Sequence, residues 1–493
     1  MKRPLRWYDY ISVNIYFLGL TAISQTMTPL VLPLLVQQFV GVESQGGAYG
    51  NLRLWSLMVA LLVQSLSGLL SDHSTLRWGR RRPFIFMGSL LQVILILAIA
   101  SSAALEGTFG YWFLFAMVIL LSVASNIAHG AVQGLIPDIV PGSLRGKFSG
   151  VKAVLEVPLP VILVAFTIGP MISKGNLWGA IFVLIGTVLL TALLTMFAPE
   201  KPLLSSPGKL NWDPFLRLLS MTGLFTLVIL FAGQIIKWFG MILENITSLP
   251  VALLIFGFAG ILIISLTIAI GVLTSIRVSV GLSAAAGNRS FSWWVVNRLS
   301  YLVGSTNLAS FAVFFLQGRL SLEKEQAAGP ASQMILFVGL FILVTALPSG
   351  WLADHFGRKK LVAVSGMIAA TGAGVMVVFP NLVMIYVGAI LVGVATGLFF
   401  TANWALGTEL VPPKEAGRYL GISNLAGAGA GAVGAYIGGP IADFFSVHFP
   451  ESAGIGYVLL FVIYGFMFLL SILALTQVKL GVPSASENAM NSL

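Results

Sequence analysis

Long uninterrupted runs of apolar residues decide what this chain can fold into. They recur in windows of about 18 to 28 residues, which as helices rising 1.5 Å per residue cross a hydrocarbon layer of about 30 Å. No period-two alternation marks strands, which sets aside a membrane barrel. Hydrophobic residues make up 57% of the 493 positions and charged residues 9%, too few charges to coat a soluble globule of this length. The chain therefore reads as an all-α polytopic membrane protein.

The windows predict about 14 transmembrane helices, at 10–36, 50–70, 83–104, 109–135, 148–172 and 176–198, then 216–240 and 250–277, then 292–317, 331–353, 361–379, 382–408, 418–445 and 454–478. A Pro/Ser-rich stretch from Pro199 to Pro214 separates the first six from the rest. The implied organisation is an N-terminal six-helix bundle over 1–200, a linker and inserted helix pair over 201–280, a C-terminal six-helix bundle over 281–480, and a disordered cytoplasmic tail over 481–493.

Charge placement tests this threading. The net charge of +10 would suit a nucleic-acid binder, but its distribution follows the positive-inside rule instead. With the N-terminus inside, all of the 27 Lys and Arg fall at cytoplasmic positions except Arg53, Lys174, Lys237, Arg319 and Lys324. The opening Met1-Lys2-Arg3-Pro4 leads into the first span with no small-residue cleavage site, so both termini are expected in the cytoplasm. Cysteine is absent, which removes thiol and disulfide chemistry. Four scattered histidines argue against a catalytic metal. No phosphate-cradling Gly-x-x-x-x-Gly-Lys-Ser/Thr loop occurs, so ATP is not expected as a partner, and the chain does not read as an enzyme.

Two short signatures repeat. Gly68-Leu-Leu-Ser-Asp72 followed by Gly79-Arg80-Arg81-Arg82 returns as Gly350-Trp-Leu-Ala-Asp354 followed by Gly357-Arg358-Lys359-Lys360. Asp138-Ile-Val-Pro141 with Gly146, Lys147 and Gly150 returns as Glu409-Leu-Val-Pro412 with Gly417, Arg418 and Gly421. Two junctions repeating in order imply a duplicated bundle. An even number of inserted spans keeps both halves in one orientation, so the repeats are parallel.

The Gly-x-x-x-Asp plus Gly-Arg-Arg/Lys-Arg/Lys pattern resembles the loop signature of the major facilitator superfamily, and the resemblance covers almost the whole chain. The longer first loop, from Asp72 through Trp78 to Phe84, is similar to that of plant-type sucrose carriers and of glycoside–pentoside–hexuronide:cation symporters. That resemblance implies uptake of a sugar or glycoside with H⁺ or Na⁺. Sodium-coupled relatives place acids inside the second and fourth spans, where this chain has Gln64 and Asn126, so H⁺ is the expected ion. The resemblance also implies a plasma-membrane location and a cytoplasmic gate in which Asp72, Arg80 and Asp138 of one half, and Asp354, Arg358 and Glu409 of the other, lock the bundles together. Gly68 and Gly350 would admit a close neighbouring helix, and Gly79 and Gly357 complete the motif. The bland alternative is that these arginines only set topology.

Glu156 is the deepest acid, eight residues (about 12 Å) into the fifth predicted span, where a carboxylate is costly and usually functional. Lys152 precedes it by one turn, and Pro158 and Pro160 remove two helix amides nearby. Two readings compete: Glu156 takes up the coupling proton or holds a hydroxyl, or it forms a helix-pinning pair with Lys152. Asn126, His129 and Gln133 share one face of the fourth span, as a polyol-binding stripe or as interhelical hydrogen-bonding glue. By resemblance, spans lining the central cavity nominate Asn14, Gln25, Asn307, Asn403 and Trp404, although Trp404 could equally face lipid. The expected function is secondary transport of a small polar solute. A drug or metabolite exporter, or a non-transporting assembly factor or sensor, are the rivals.

Overall fold

The computed structural model describes residues 5–203, 208, 210–281, 288–411, 416–452 and 454–479, excepting the side chains of 280 and 416–421. Pro412 and the tail beyond 480 lie outside these residues. Among the described residues, 13 helices are long and apolar enough to cross a membrane, and a bent pair makes a fourteenth. In the first half they are α1 (Trp7–Val40), α2 (Gln45–Asp72), α3 (Arg82–Ala104), α4 (Gly107–Ile139), α5 (Gly142–Ser173) and α6 (Leu177–Thr195). The inserted pair is α7 (Asp213–Ile242) and α8 (Leu249–Val280). The second half contains α9 (Arg289–Ser310 with Ala312–Leu320), α10 (Ala328–Phe356), α11 (Arg358–Val378), α12 (Leu382–Leu410), α13 (Ala416–His448) and α14 (Ile455–Thr476).

Local chemistry places the ends and the irregularities. Asn176, Asn288 and Asn381 start α6, α9 and α12 by accepting from the amides of Gly179, Phe291 and Met384 at 2.9, 3.1 and 2.8 Å. Prolines remove helix amides and widen the turns around them: α1 carries a π turn at Met27–Val31 about Pro29, and α5 carries one at Val164–Ile168 ahead of Pro170. The break expected near Pro158 and Pro160 falls at Val157, directly after Glu156. A bend of 62° in α9 at Phe311 has no proline. Here Thr306, Asn307 and Ser310 turn their side chains back onto the carbonyls of Leu302, Val303 and Thr306, which competes with the backbone ladder.

The two halves meet along α2 with α13 and along α5 with α10. At the end away from the basic loops the seam is tight. Gly46 and Gly439 touch backbone to backbone, and a Cβ on Gly46 would lie 2.5 Å from the Gly439 carbonyl oxygen. Asp443 accepts from the Gly46 and Gly47 amides at 2.7 and 2.6 Å, placing its carboxylate on the N-terminus of α2. Ser173 donates to the Gln326 carbonyl at 3.2 Å, and the Gln317 amide to Gln37 at the same distance. At the basic end the helices splay. Gly68, Gly350 and Gly427 have open space beside them, and Leu347 and Trp351 on α10 are 82% and 65% exposed. The space a Cβ would fill at Gly68 and Gly350 is thus open in this conformation, although Gly130 of α4 packs closely on the α2 backbone at Gly68.

Candidate functional site: a central cavity and two basic-end clusters

A cavity of about 340 Å³ opens among α1, α2, α4 and α5. Its polar wall includes Thr28 on α1, Arg53 and Ser56 on α2, Asn126 and His129 on α4, and Glu156 on α5. The break at Val157 leaves Glu156 at a helix end, and Lys152 sits 3.5 Å from its carboxylate. The same ammonium lies 4.1 Å from the Phe17 ring centroid, a cation–π contact that holds Lys152 against α1.

The polar stripe on α4 is divided in its roles. Asn126 donates back to the Ser122 carbonyl at 2.8 Å while lining the cavity. His129 Nδ1 lies 3.5 Å from Gln64 Nε2, and His129 Nε2 lies 3.1 Å from Gln133 Nε2. A neutral imidazole has one donor and one acceptor, so one glutamine must present its oxygen instead. Gln133 is exposed outside the cavity wall and acts on His129 from the side.

The residues nominated by resemblance fall elsewhere. Asn14 is fully buried and clamps α1 to α5, donating to the carbonyls of Tyr10 and Phe148 at 2.9 and 3.2 Å. Asn307 does the same for α9 and α13, donating to Val303 and Ala430 at 2.9 and 3.1 Å. Gln25 is half-buried, outside the cavity wall. Asn403 is buried in a relay, donating to Asn297 at 2.8 Å and accepting from Arg298 at 3.1 Å. Trp404 is 44% exposed, with the Arg298 guanidinium 5.7 Å from its ring centroid. Positions 298, 305 and 309 of α9 are only partly buried and follow an i, i+7, i+11 spacing, so they share one open face.

Two further arginines were not among the expected site residues: Arg53 stood only as an exception to the charge rule, and Arg298 among the cytoplasmic charges. A cation a few residues inside a predicted span, 50–70 for Arg53 and 292–317 for Arg298, was the available signal. Arg53 reaches Thr28 Oγ1 of one half at 3.4 Å and Ser310 Oγ of the other at 3.5 Å, while its Nε is buried without an acceptor.

At the basic end each half builds its own charge cluster. Arg81, 5% exposed, pairs with Asp72 and lies 2.9 Å from Asp138, which Arg80 also holds. In the second half Arg358 pairs with Glu409 and lies 3.8 Å from Asp354. Gly79 and Gly357 have φ of 112° and 90°, a region that favours glycine, and they set the turns that deliver these arginines. Glu200, absent from the sequence expectation, accepts from the amides of Arg80, Arg81 and Arg82 at 3.1, 2.8 and 3.1 Å and so caps α3. Arg81, not among the expected gate residues, bridges Asp72 and Asp138, while Arg80 pairs with Asp138 as well, and with the basic end open every one of these pairs lies within a half and braces its own bundle.

Comparison with known proteins now bears on the reading. Residues 299–489 match the family model described as Major Facilitator Superfamily. The chain is 32% identical over 152 residues to the minor myo-inositol transporter IolF of Bacillus subtilis (strain 168), covering 31% of this chain and 29% of that protein. It is 29% identical over 171 residues to the multi-drug resistance efflux pump PmrA of Streptococcus pneumoniae, covering 33% and 40%. It thus spans less than half the length of either curated relative. A solved D-xylose-proton symporter superposes with a TM-score of 0.61 at 15% identity, covering 97% of this chain and 98% of that one, a likeness of fold. Residues 299–489 therefore carry the Major Facilitator Superfamily pattern, and the chain as a whole shares the fold of the solved D-xylose-proton symporter.

Proposed function

We propose that this chain is a secondary active transporter that carries a small hydroxylated solute, of the sugar or polyol class, by alternating access coupled to H⁺. The observation that carries the reading is Glu156, a carboxylate on the wall of a polar cavity that is sealed toward one end by contact between the halves. The positive-inside rule assigns the basic end to the cytoplasm, so both termini lie inside, the plasma membrane is the expected location, and this conformation faces inward. Glu156 takes up the coupling proton. Protonation frees Lys152 from its partner, and deprotonation restores the pair, so the charge state of α5 follows the proton. Asn126 and His129 supply hydrogen bonds of the kind a polyol uses. Similarity to a myo-inositol transporter and to a D-xylose-proton symporter supports the solute class and the ion. Gln64 and Asn126, at positions where sodium-coupled relatives carry acids, favour H⁺ over Na⁺.

The test is solute-induced proton movement in proteoliposomes with myo-inositol and D-xylose, with Glu156→Gln alongside. The expected result is proton flux in the wild type, lost in Glu156→Gln while solute counterflow persists. Equal proton flux in the mutant removes Glu156 from coupling. The exporter reading is favoured by the PmrA match and by the apolar Leu20, Met27 and Leu57 on the cavity wall. Gradient-driven exclusion of ethidium, with no polyol-induced flux, puts that reading first.

A further inference from the structure

The cavity wall carries a charge that the transport reading leaves unused. Glu156 is compensated by Lys152. Arg53, on the same wall, has no carboxylate within ion-pair distance among the described residues. Its two acceptors are neutral hydroxyls at 3.4 and 3.5 Å, beyond the range of a strong hydrogen bond, and its buried Nε has none. A guanidinium has five donors in a fixed fork matched to two oxygens of one anionic group. Arg298, on the open face of α9, likewise lacks a carboxylate. It is held by the Asn403 side chain and by the rings of Trp294 and Trp404, at 5.9 and 5.7 Å. Among the described residues, the wall and that face together offer the guanidiniums of Arg53 and Arg298, while the carboxylate of Glu156 is already matched by Lys152 beside it.

Resting on the transport reading above, we infer that the solute is a hydroxylated organic anion, whose carboxylate or phosphate seats on Arg53 while its hydroxyls meet Asn126 and His129. The position of Arg53 gives the anion a role in the cycle. Arg53 touches Thr28 of one half and Ser310 of the other, so a group bound there bridges the seam just inside the far-end seal. Closing the basic end over a neutral solute would enclose an uncompensated guanidinium in low dielectric, which is strongly disfavoured. Closing over an anion encloses a pair. The anion-loaded carrier therefore occludes more readily than the neutrally loaded one, and that difference selects anionic over neutral solutes for transport.

The experiment compares D-glucuronate, D-glucose 6-phosphate and D-glucose, at matched concentration and ionic strength, by ligand-induced thermal stabilisation of the purified protein and by counterflow in proteoliposomes. The expected result is stabilisation and counterflow with one or both anions and little with glucose. Which anion responds tells a carboxylate ligand from a phosphate. Arg53→Gln is expected to weaken the responding anion roughly 10- to 100-fold, the loss of one charge-assisted hydrogen-bonded contact, with Arg53→Lys intermediate. The wild-type comparison stands by itself should Arg53→Gln fold poorly. Glucose acting as well as both anions overturns the inference and leaves the transport reading intact. So does undiminished anion binding in a folded Arg53→Gln. Polyol-induced proton flux without any response to either anion also overturns the inference alone, whereas failure of every solute to move overturns the transport reading with it.

Discussion

Two arginines in matching positions of the repeat differ in how much they hold. Arg81 is buried and spans Asp72, Asp138 and the Ser71 hydroxyl, whereas Arg358 is 34% exposed in its side chain and faces carboxylates that water also reaches. Truncating Arg81 takes a buried guanidinium from Asp72 and leaves Asp138 with Arg80 alone, which costs up to about 3–5 kcal/mol, while an exposed pair contributes about 0–1 kcal/mol. Arg81→Ala is therefore expected to lower the melting temperature of the detergent-purified protein well below that of Arg358→Ala. Equal losses would contradict the burial argument. At the same scale, Asn14, Asn307 and Asn403 explain why side-chain roles were hard to read from the chain. An amide on a membrane helix has the same donors whether it grips a solute or a neighbouring carbonyl, and only packing decides which.

The helices themselves were legible because each is written by a rule that needs no partner. Apolar windows fix the spans, and Pro158 and Pro160 mark the break at Val157, whereas Pro348 and Pro440 sit inside continuous helices. The bend at Phe311 was not legible, since three polar side chains folding onto their own helix look in sequence like any polar face. The far-end seam was also hidden. Nothing in the chain marks Gly439 and Gly46 of the other half as partners, and only packing brings them together. A valine side chain at 439 has no room, so Gly439→Val is expected to pry α2 from α13. With cysteine otherwise absent, Thr28→Cys provides a reporter beneath the seam. Its labelling by an impermeant reagent from the far side should accelerate roughly tenfold in Gly439→Val, for overpacking strain of about 1–3 kcal/mol.

For the molecule as a whole, the duplicated signature was enough to expect two parallel bundles, and the observed fold has that plan. The state it adopts was beyond sequence, because open and closed forms share every helix and differ only in which seam is made. Open space beside Gly68, Gly350 and Gly427 predicts that Gly350→Cys labels rapidly from the basic end. Addition of a transported solute should slow that labelling as the bundles close, and a rate indifferent to solute would contradict rocking about the seam.

The inserted pair belongs chiefly to one half. α7 and α8 pack on each other and, beyond a contact with α2, chiefly on α9, α13 and α14 of the second half. The second half with the pair thus forms an eight-helix assembly beside a six-helix one, so the duplicated plan is unequal in bulk, and the half bearing Glu156 and Arg53 is the smaller.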